Sequence, residues 1–338
     1  MTQTATAQTL FPSLQHGDAV LRNFRFHNGE SLSEVRIRYA TLGQPGSMPV
    51  LVLHGTAGSA QTLLTPAFGG ELFGPGQPLD AAHHFIIIPD GLGTGQSSRP
   101  SEGLRARFPR YNYDDMVAAQ YRLVTEHFRL TRLRLVLGNS MGGMHTWLWA
   151  QRHPDMMDIA VPMASLPTPM SGRNWMTRRL IIDSIRNDPD WRGGEYTTQP
   201  PGVQRAIVFF GVATNGGHQG LQKLAPTRER ADALLDERLN APFTADANDL
   251  LYQWDASRDY DASRGLETIT AMVLAINSAD DERNPPELGV FERELPRVKR
   301  ARLFLIAASP DTSGHATTGQ AVFWKHELER VLRETPAR

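Results

Sequence analysis

Residues 133–154, LRLVLGNSMGGMHTWLWAQRHP, constrain this chain more than any other stretch: an apolar strand-like run enters a tight glycine-flanked turn and leaves it as a helix. Strand, sharp turn and helix in that order belong to a sheet covered on both faces. Within the turn, Gly138-Asn139-Ser140-Met141-Gly142 fits the GxSxG pattern, in which a serine is lifted out on a strained backbone bend and small neighbours avoid clashes. A serine hydroxyl is a poor nucleophile until a base removes its proton. The pattern therefore directs the search to a histidine and an acid elsewhere in the chain.

The flanking sequence supplies the rest of a parallel sheet. Residues 18–42 read as an antiparallel hairpin turning at Asn28-Gly29. PVLVLHG (49–55) and HFIIIPDGLG (84–93) are apolar runs that end in glycine-bearing turns. A helical pattern spans Tyr113 to Phe128, with Asp114 and Asp115 in its first turn, where carboxylates suit the helix dipole. Strand patterns return at TITAMVLAINSADD (268–281) and ARLFLIAAS (301–309), and an amphipathic helix from Thr318 to Leu332 closes the chain. Residues 167–265, rich in Met, Trp, Arg, Gly and Pro, lack buried-strand signatures and read as a helical cap. Residues 1–166 and 266–338 then form one core domain.

Composition excludes several classes of function. The 35 basic and 36 acidic residues leave a formal net charge of -1, without the basic runs that would mark a nucleic-acid or membrane surface. No apolar stretch approaches the roughly 20 residues that cross a bilayer. With no cysteine, disulfides and thiolate chemistry are ruled out. The start, MTQTATAQTLFPSL, lacks a signal-peptide pattern, so a cytoplasmic location is expected, or a periplasmic or secreted one if a signal has been removed.

Chain order then assigns the reactive groups. His315 lies in the polar loop SPDTSGHATTG, directly after the last strand, where the base of a GxSxG enzyme belongs. The preceding strand ends in Ala279-Asp280-Asp281-Glu282-Arg283-Asn284-Pro285, and an acid four residues before a proline, common among hydrolases of this fold, selects Asp281 with Asp280 as the alternative. The amides of Met141, after the serine, and of Thr56, in the His54-Gly55-Thr56 turn, are the expected oxyanion donors, with His54 holding that turn. Asp90-Gly91-Leu92-Gly93-Thr94-Gly95 has neither the Lys-Ser/Thr pair nor the ribose-binding acid of a phosphate loop and reads as a tight turn bordering the site. His145, five residues past the serine, points off its face. His218 is a candidate substrate contact, and no spacing of His83, His84 or other residues suggests a catalytic metal or a cofactor.

With these parts in place the chain resembles the homoserine O-acetyltransferase branch of the α/β-hydrolase superfamily. IRYATLG, FGPGQPLD, FPRYNYDDMVAAQ, LGNSMGGMHTWLWAQRHPD and IRNDPDWRGGEY carry the resemblance over most of the chain. It implies an α/β-hydrolase fold and a small-molecule acyl substrate, with a homodimer by analogy. Acetyltransferases of that branch typically follow the catalytic histidine with aspartate and carry an arginine and a tyrosine in the cap that help hold the amino-acid substrate. Here the sequence runs Gly314-His315-Ala316-Thr317-Thr318, and 201–217 reads PGVQRAIVFFGVATNGG, with Arg205 displaced and no tyrosine. The departures favour ester hydrolysis over acyl-CoA-dependent O-acyl transfer, and Trp175, Met176, Phe209 and Phe210 are expected to line an apolar pocket.

Overall fold

A computed structural model describes residues 7–338. The first six residues, part of the segment read for a signal peptide, lie outside the described residues. Eight strands form one sheet: β1 (Gln15–Arg25), β2 (Ser31–Leu42), β3 (Met48–Leu53), β4 (His84–Pro89), β5 (Leu133–Asn139), β6 (Met157–Met163), β7 (Met272–Ser278) and β8 (Ala301–Ile306). Their spatial order is β1-β2-β4-β3-β5-β6-β7-β8. The β1–β2 hairpin forms one edge and β2 runs antiparallel to β4, while β3 to β8 are all parallel. This is an α/β-hydrolase fold with a mostly parallel sheet, as expected.

Register brings the loops that matter to one edge. Leu53 pairs with Gly138, Asn139 with Met163 and Ser278 with Ile306, so the chain leaves β3, β5, β7 and β8 at the same, carboxyl end of the sheet. Such an edge is where parallel α/β sheets place their ligands. One apolar layer beneath the sheet includes Phe85, Trp147, Trp149 and Met157, and another above it includes Phe68, Phe73, Ile276 and Trp324.

Helix α1 (Tyr113–Arg122) starts at a capping box between Asn112 and Asp115 and continues as one wider turn, Leu123–His127. Helix α2 (Met141–Arg152) follows the serine and is buried from Met141 to Ala150. Five helices stand between β6 and β7: α3 (Gly172–Arg186), α4 (Gly202–Thr214), α5 (His218–Leu224), α6 (Arg228–Asn240) and α7 (Ala247–Asp255). Their own apolar cluster contains Ile181, Ile182, Ile185, Val203, Phe210, Leu250 and Trp254. Helix α7 is one anchor to the rest. Its Tyr252 hydroxyl lies 3.0 Å from the Ala106 carbonyl and 2.8 Å from that of Phe108, and Asp249 accepts from the Ser101 amide and hydroxyl at 2.8 and 2.6 Å.

Two elements differ from the sequence reading. Strand β6, MDIAVPM, was not anticipated because Asp158 and Pro162 interrupt its apolar run. Arg132 and Arg134 neutralise Asp158 at 2.7 and 3.2 Å, which makes its burial tolerable. After a short helix α8 (Val290–Glu294), the final helix α9 (Lys325–Glu334) begins seven residues later than expected, at 325 rather than 318. The intervening 3₁₀ turns carry Trp324 into the core, where its indole donates to the Thr318 carbonyl at 2.9 Å and packs 5.9 Å from the Phe68 ring. Trp324→Ala should therefore cost about 3–5 kcal/mol of stability, read as a lower urea midpoint with little change in slope.

Candidate active site

The site is built from four loops at the carboxyl edge, beginning with the bend at Ser140. Its backbone sits at φ 56°, ψ -111°, a strained conformation for a residue with a side chain. Strain of this kind costs about 1–3 kcal/mol and persists only where the surroundings hold it. The Ser140 amide donates to the Met163 carbonyl at 2.9 Å, and Met144 donates back to the Ser140 carbonyl at 3.0 Å. Side chains on Gly138 or Gly142 would run into the carbonyls of Gly142 and Leu53, so the bend needs both glycines.

His315 arrives from the loop after β8, in the turn Gly314–Gly319. Its Nε2 lies 2.8 Å from Ser140 Oγ, and its Nδ1 lies 2.9 and 3.0 Å from the two carboxylate oxygens of Asp281. A bond between Thr318 Oγ1 and Asn139 Oδ1, 2.7 Å long, ties this loop to the residue before the serine. Asp281 also accepts from the amides of Arg283 and Asn284, at 2.8 and 3.1 Å, and from Asn284 Nδ2 at 3.0 Å. Asp280 turns the opposite way. Its carboxylate accepts from Ser278 Oγ at 2.5 Å, from Thr312 Oγ1 at 2.7 Å and from the Gly314 amide at 3.3 Å, so between the two alternatives it is Asp281 that faces the imidazole.

The Gly55-Thr56 turn lies against the serine, since a side-chain carbon on Gly55 would stand 3.5 Å from Ser140 Cβ. Among the described residues the amides of Thr56 and Met141 donate to no protein acceptor, Met141 being the first residue of α2. His54 holds the turn. Its Nδ1 donates to the Gly55 carbonyl at 2.7 Å, while its Nε2 accepts from the Gly91 amide at 2.9 Å. Asp90 braces the neighbouring glycine turn by accepting from the amides of Ala60 and Gln96, at 2.7 and 2.8 Å.

Burial, joined by the field of Arg283, pushes the His315 imidazole below its ordinary value, against the opposing pull of Asp281. Burial alone would raise the Asp281 carboxyl, but His315 and the amide donors hold it below the usual carboxylate range. The pair thus rests as neutral imidazole beside carboxylate. Burial also lowers the Arg283 guanidinium to about 9, with nearby Arg178 adding to the effect. Arg178 bonds Asn174 and Ser257 and lies over Trp254, whereas Arg283 bonds Thr214 and Asn215 and lies over Phe210.

The remaining candidates lie away from the serine. His145 is buried against Tyr113, with Nδ1 3.1 Å from Gln120 Nε2, and burial drops it to about 3. His218 is exposed at the start of α5 and lines a cavity of about 600 Å³ behind the acid loop, which neither Ser140 nor His315 lines. Of the expected pocket residues, Met176 and Phe209 are 66% and 64% exposed, Trp175 is half-buried and Phe210 is buried; Phe209 and Phe210 line a cavity of about 510 Å³ with Leu180 and Ile181. The contributions of Asn284, Thr318 and Glu282 were not read from the sequence, because nothing local distinguishes them from ordinary loop polar residues. No cluster of three His, Asp or Glu residues that could hold a metal ion occurs among the described residues.

A family model described as the alpha/beta hydrolase fold matches residues 48–307. A homoserine O-acetyltransferase of Caulobacter vibrioides is 36% identical over 308 residues, covering 85% of this chain and 78% of that protein. The chain belongs to the α/β-hydrolase family, in the branch of the homoserine O-acetyltransferases. It is an enzyme of that superfamily. The fold is shared with an acetylester hydrolase from Corynebacterium glutamicum (TM-score 0.81, 22% identity, 94% of this chain and 96% of that one). It is shared equally with a homoserine O-acetyltransferase from Bacillus anthracis (TM-score 0.81, 21% identity, 96% and 99%). Architecture alone therefore does not choose between the two reactions.

The electrostatics can be checked without turnover. In an NMR titration the His315 ring should change charge with a midpoint below the ordinary histidine value of 6.5. Because Arg283 disfavours the imidazolium, Arg283→Gln should move that midpoint upward.

Proposed function

We propose that this α/β-hydrolase family member is a serine hydrolase that cleaves a carboxylic ester or related acyl compound through an acyl-Ser140 intermediate. The observation that carries this reading is the unbroken line from Ser140 Oγ through the two nitrogens of His315 to Asp281, at 2.8 and 2.9 Å. As Oγ attacks the carbonyl carbon, Nε2 takes its proton and later delivers it to the departing alkoxide oxygen. Water then attacks the acyl-serine, His315 accepts the water's proton, and Ser140 regains its hydrogen as the carboxylic acid leaves. Asp281 holds the proton on Nδ1 and stabilises the imidazolium that forms. The free amides of Thr56 and Met141 would receive the developing oxyanion, each such donor being worth about 3–4 kcal/mol.

Water as the acceptor is supported by what stands around the line. Ala316 follows the histidine, Arg205 is exposed on α4, and the nearby guanidiniums of Arg178, buried, and Arg283, half-buried, are engaged with neutral side chains. The segment 167–265 is then the cap that closes over a small acyl substrate. A second reading, acyl-CoA-dependent O-acyl transfer through the same residues, is favoured by the 36% identity to an acetyltransferase.

Incubation with nitrophenyl esters, or with acetyl-CoA and homoserine, separates the readings: ester cleavage without acetylhomoserine is expected, and acetylhomoserine as the main product sinks the hydrolase assignment. Ser140→Ala should fold and lose both turnover and fluorophosphonate labelling. Asp281→Asn should lower kcat by about 10⁴-fold. Asp280→Asn, which touches only the loop, should lower it by at most about tenfold.

A further inference from the structure

Three successive carboxylates follow β7, and only the middle one reaches the imidazole. Asp280 grips the loop that carries the histidine, whereas Glu282 spans two structures. Its Oε2 accepts from the backbone amide of His315 itself at 2.9 Å, and its Oε1 accepts from the amide of Gly217, between α4 and α5, at 2.8 Å. A second strut runs beside it, from the Gly216 amide to the Ser313 carbonyl at 3.0 Å. Arg283 adds a third, since its guanidinium reaches Thr214, the last residue of α4, and Asn215 just past it, at 3.1 Å each.

Close approach is built into the backbone on both sides of this carboxylate. Gly314 (φ +57°) and Gly217 (φ +64°) are both left-handed; a side chain on the first would meet the Glu282 carboxylate and one on the second that of Asp280. Neither position tolerates a larger residue without moving an acidic group. Glu282 never touches the reacting atoms.

We propose that Glu282 is a positioning residue that seats the His315 base only when the Gly216–Gly217 turn is docked, so that cap closure and alignment of the base are one event. The inference rests on the reading of His315 as the base. A carboxylate shared between two amides fixes their separation, because each oxygen is held by one donor. Displacement of the α4–α5 turn removes the donor from Oε1 and frees Glu282 to rotate, and the His315 main chain loses the one carboxylate that holds its own amide. Misplacement of a reacting group by about 1 Å costs on the order of 100-fold in rate, so even a partial release matters.

Glu282→Gln tests this directly. The amide oxygen can satisfy one of the two N–H groups, but the new NH₂ opposes the other. Turnover of a nitrophenyl ester should fall by about 10- to 100-fold in kcat with KM within about twofold of the parent. Hydrogen exchange should quicken in 215–221 and in 311–318 together, with the rest of the chain unchanged. If that variant does not fold, Glu282→Asp, which keeps the charge but reaches only one amide, should show the same paired quickening. An unchanged kcat, or quickening in one segment alone, overturns the proposal. The exchange result stands without turnover, so an inert parent enzyme would instead count against the ester-cleaving reading.

Discussion

A carboxylate cut off from water must be satisfied from within, and Asp281, 1% exposed, is the group around which this end of the molecule is arranged. Burying an unpaired carboxylate costs several kcal/mol, enough to consume much of a domain's net stability. Two backbone amides, the Asn284 side chain and the His315 ring together meet that cost. Asn284 in turn donates to the Ala164 carbonyl just past β6, and Asn277 in β7 donates to the Asn284 carbonyl. The shape of the acid loop is therefore set by its own hydrogen bonds to β6 and β7 before any substrate arrives. The histidine completes it.

Charges of both signs surround the imidazole. Arg178 and Arg283 lie close to the imidazole without a salt-bridge carboxylate of their own, and their field disfavours the protonated ring. Asp281 pulls the other way. The balance leaves a neutral ring with one nitrogen hydrogen-bonded to the carboxylate and the other facing the serine, which is the state a proton acceptor needs. Asp280 and Glu282 contribute through geometry, each taking hydrogen bonds from the histidine loop.

Much of the fold was legible because buried parallel strands carry long apolar runs and tight turns carry glycine. PVLVLHG, HFIIIPDGLG and LRLVLGNSMGG fall on β3, β4 and β5, and the serine bend sits where the pattern put it. Strand β6 escaped notice because its aspartate is paid for by Arg132 and Arg134, partners no local pattern reveals. The exposure of Met176 was hidden for a related reason: an apolar residue on a helix marks a face, but which way the face turns depends on how that helix docks. Chain order points to Ser140, His315 and the Asp280-Asp281 pair, with Pro285 selecting Asp281, and the structure brings Ser140, His315 and Asp281 within hydrogen-bonding distance of one another. The supporting bonds from Asn284, Thr318 and Glu282 could not be read that way, since each joins positions between 3 and 179 residues apart.

The left-handed backbone at Ser140 has a consequence for how the molecule matures. An isolated peptide of the same sequence would relax out of that conformation, because it would lack the Met163 carbonyl of the adjacent strand, which holds the Ser140 amide. The bend forms only after β5 and β6 have zipped together. The backbone geometry at this one residue is thus a gauge of native assembly, absent from molten or half-formed chains that already possess helices and strands.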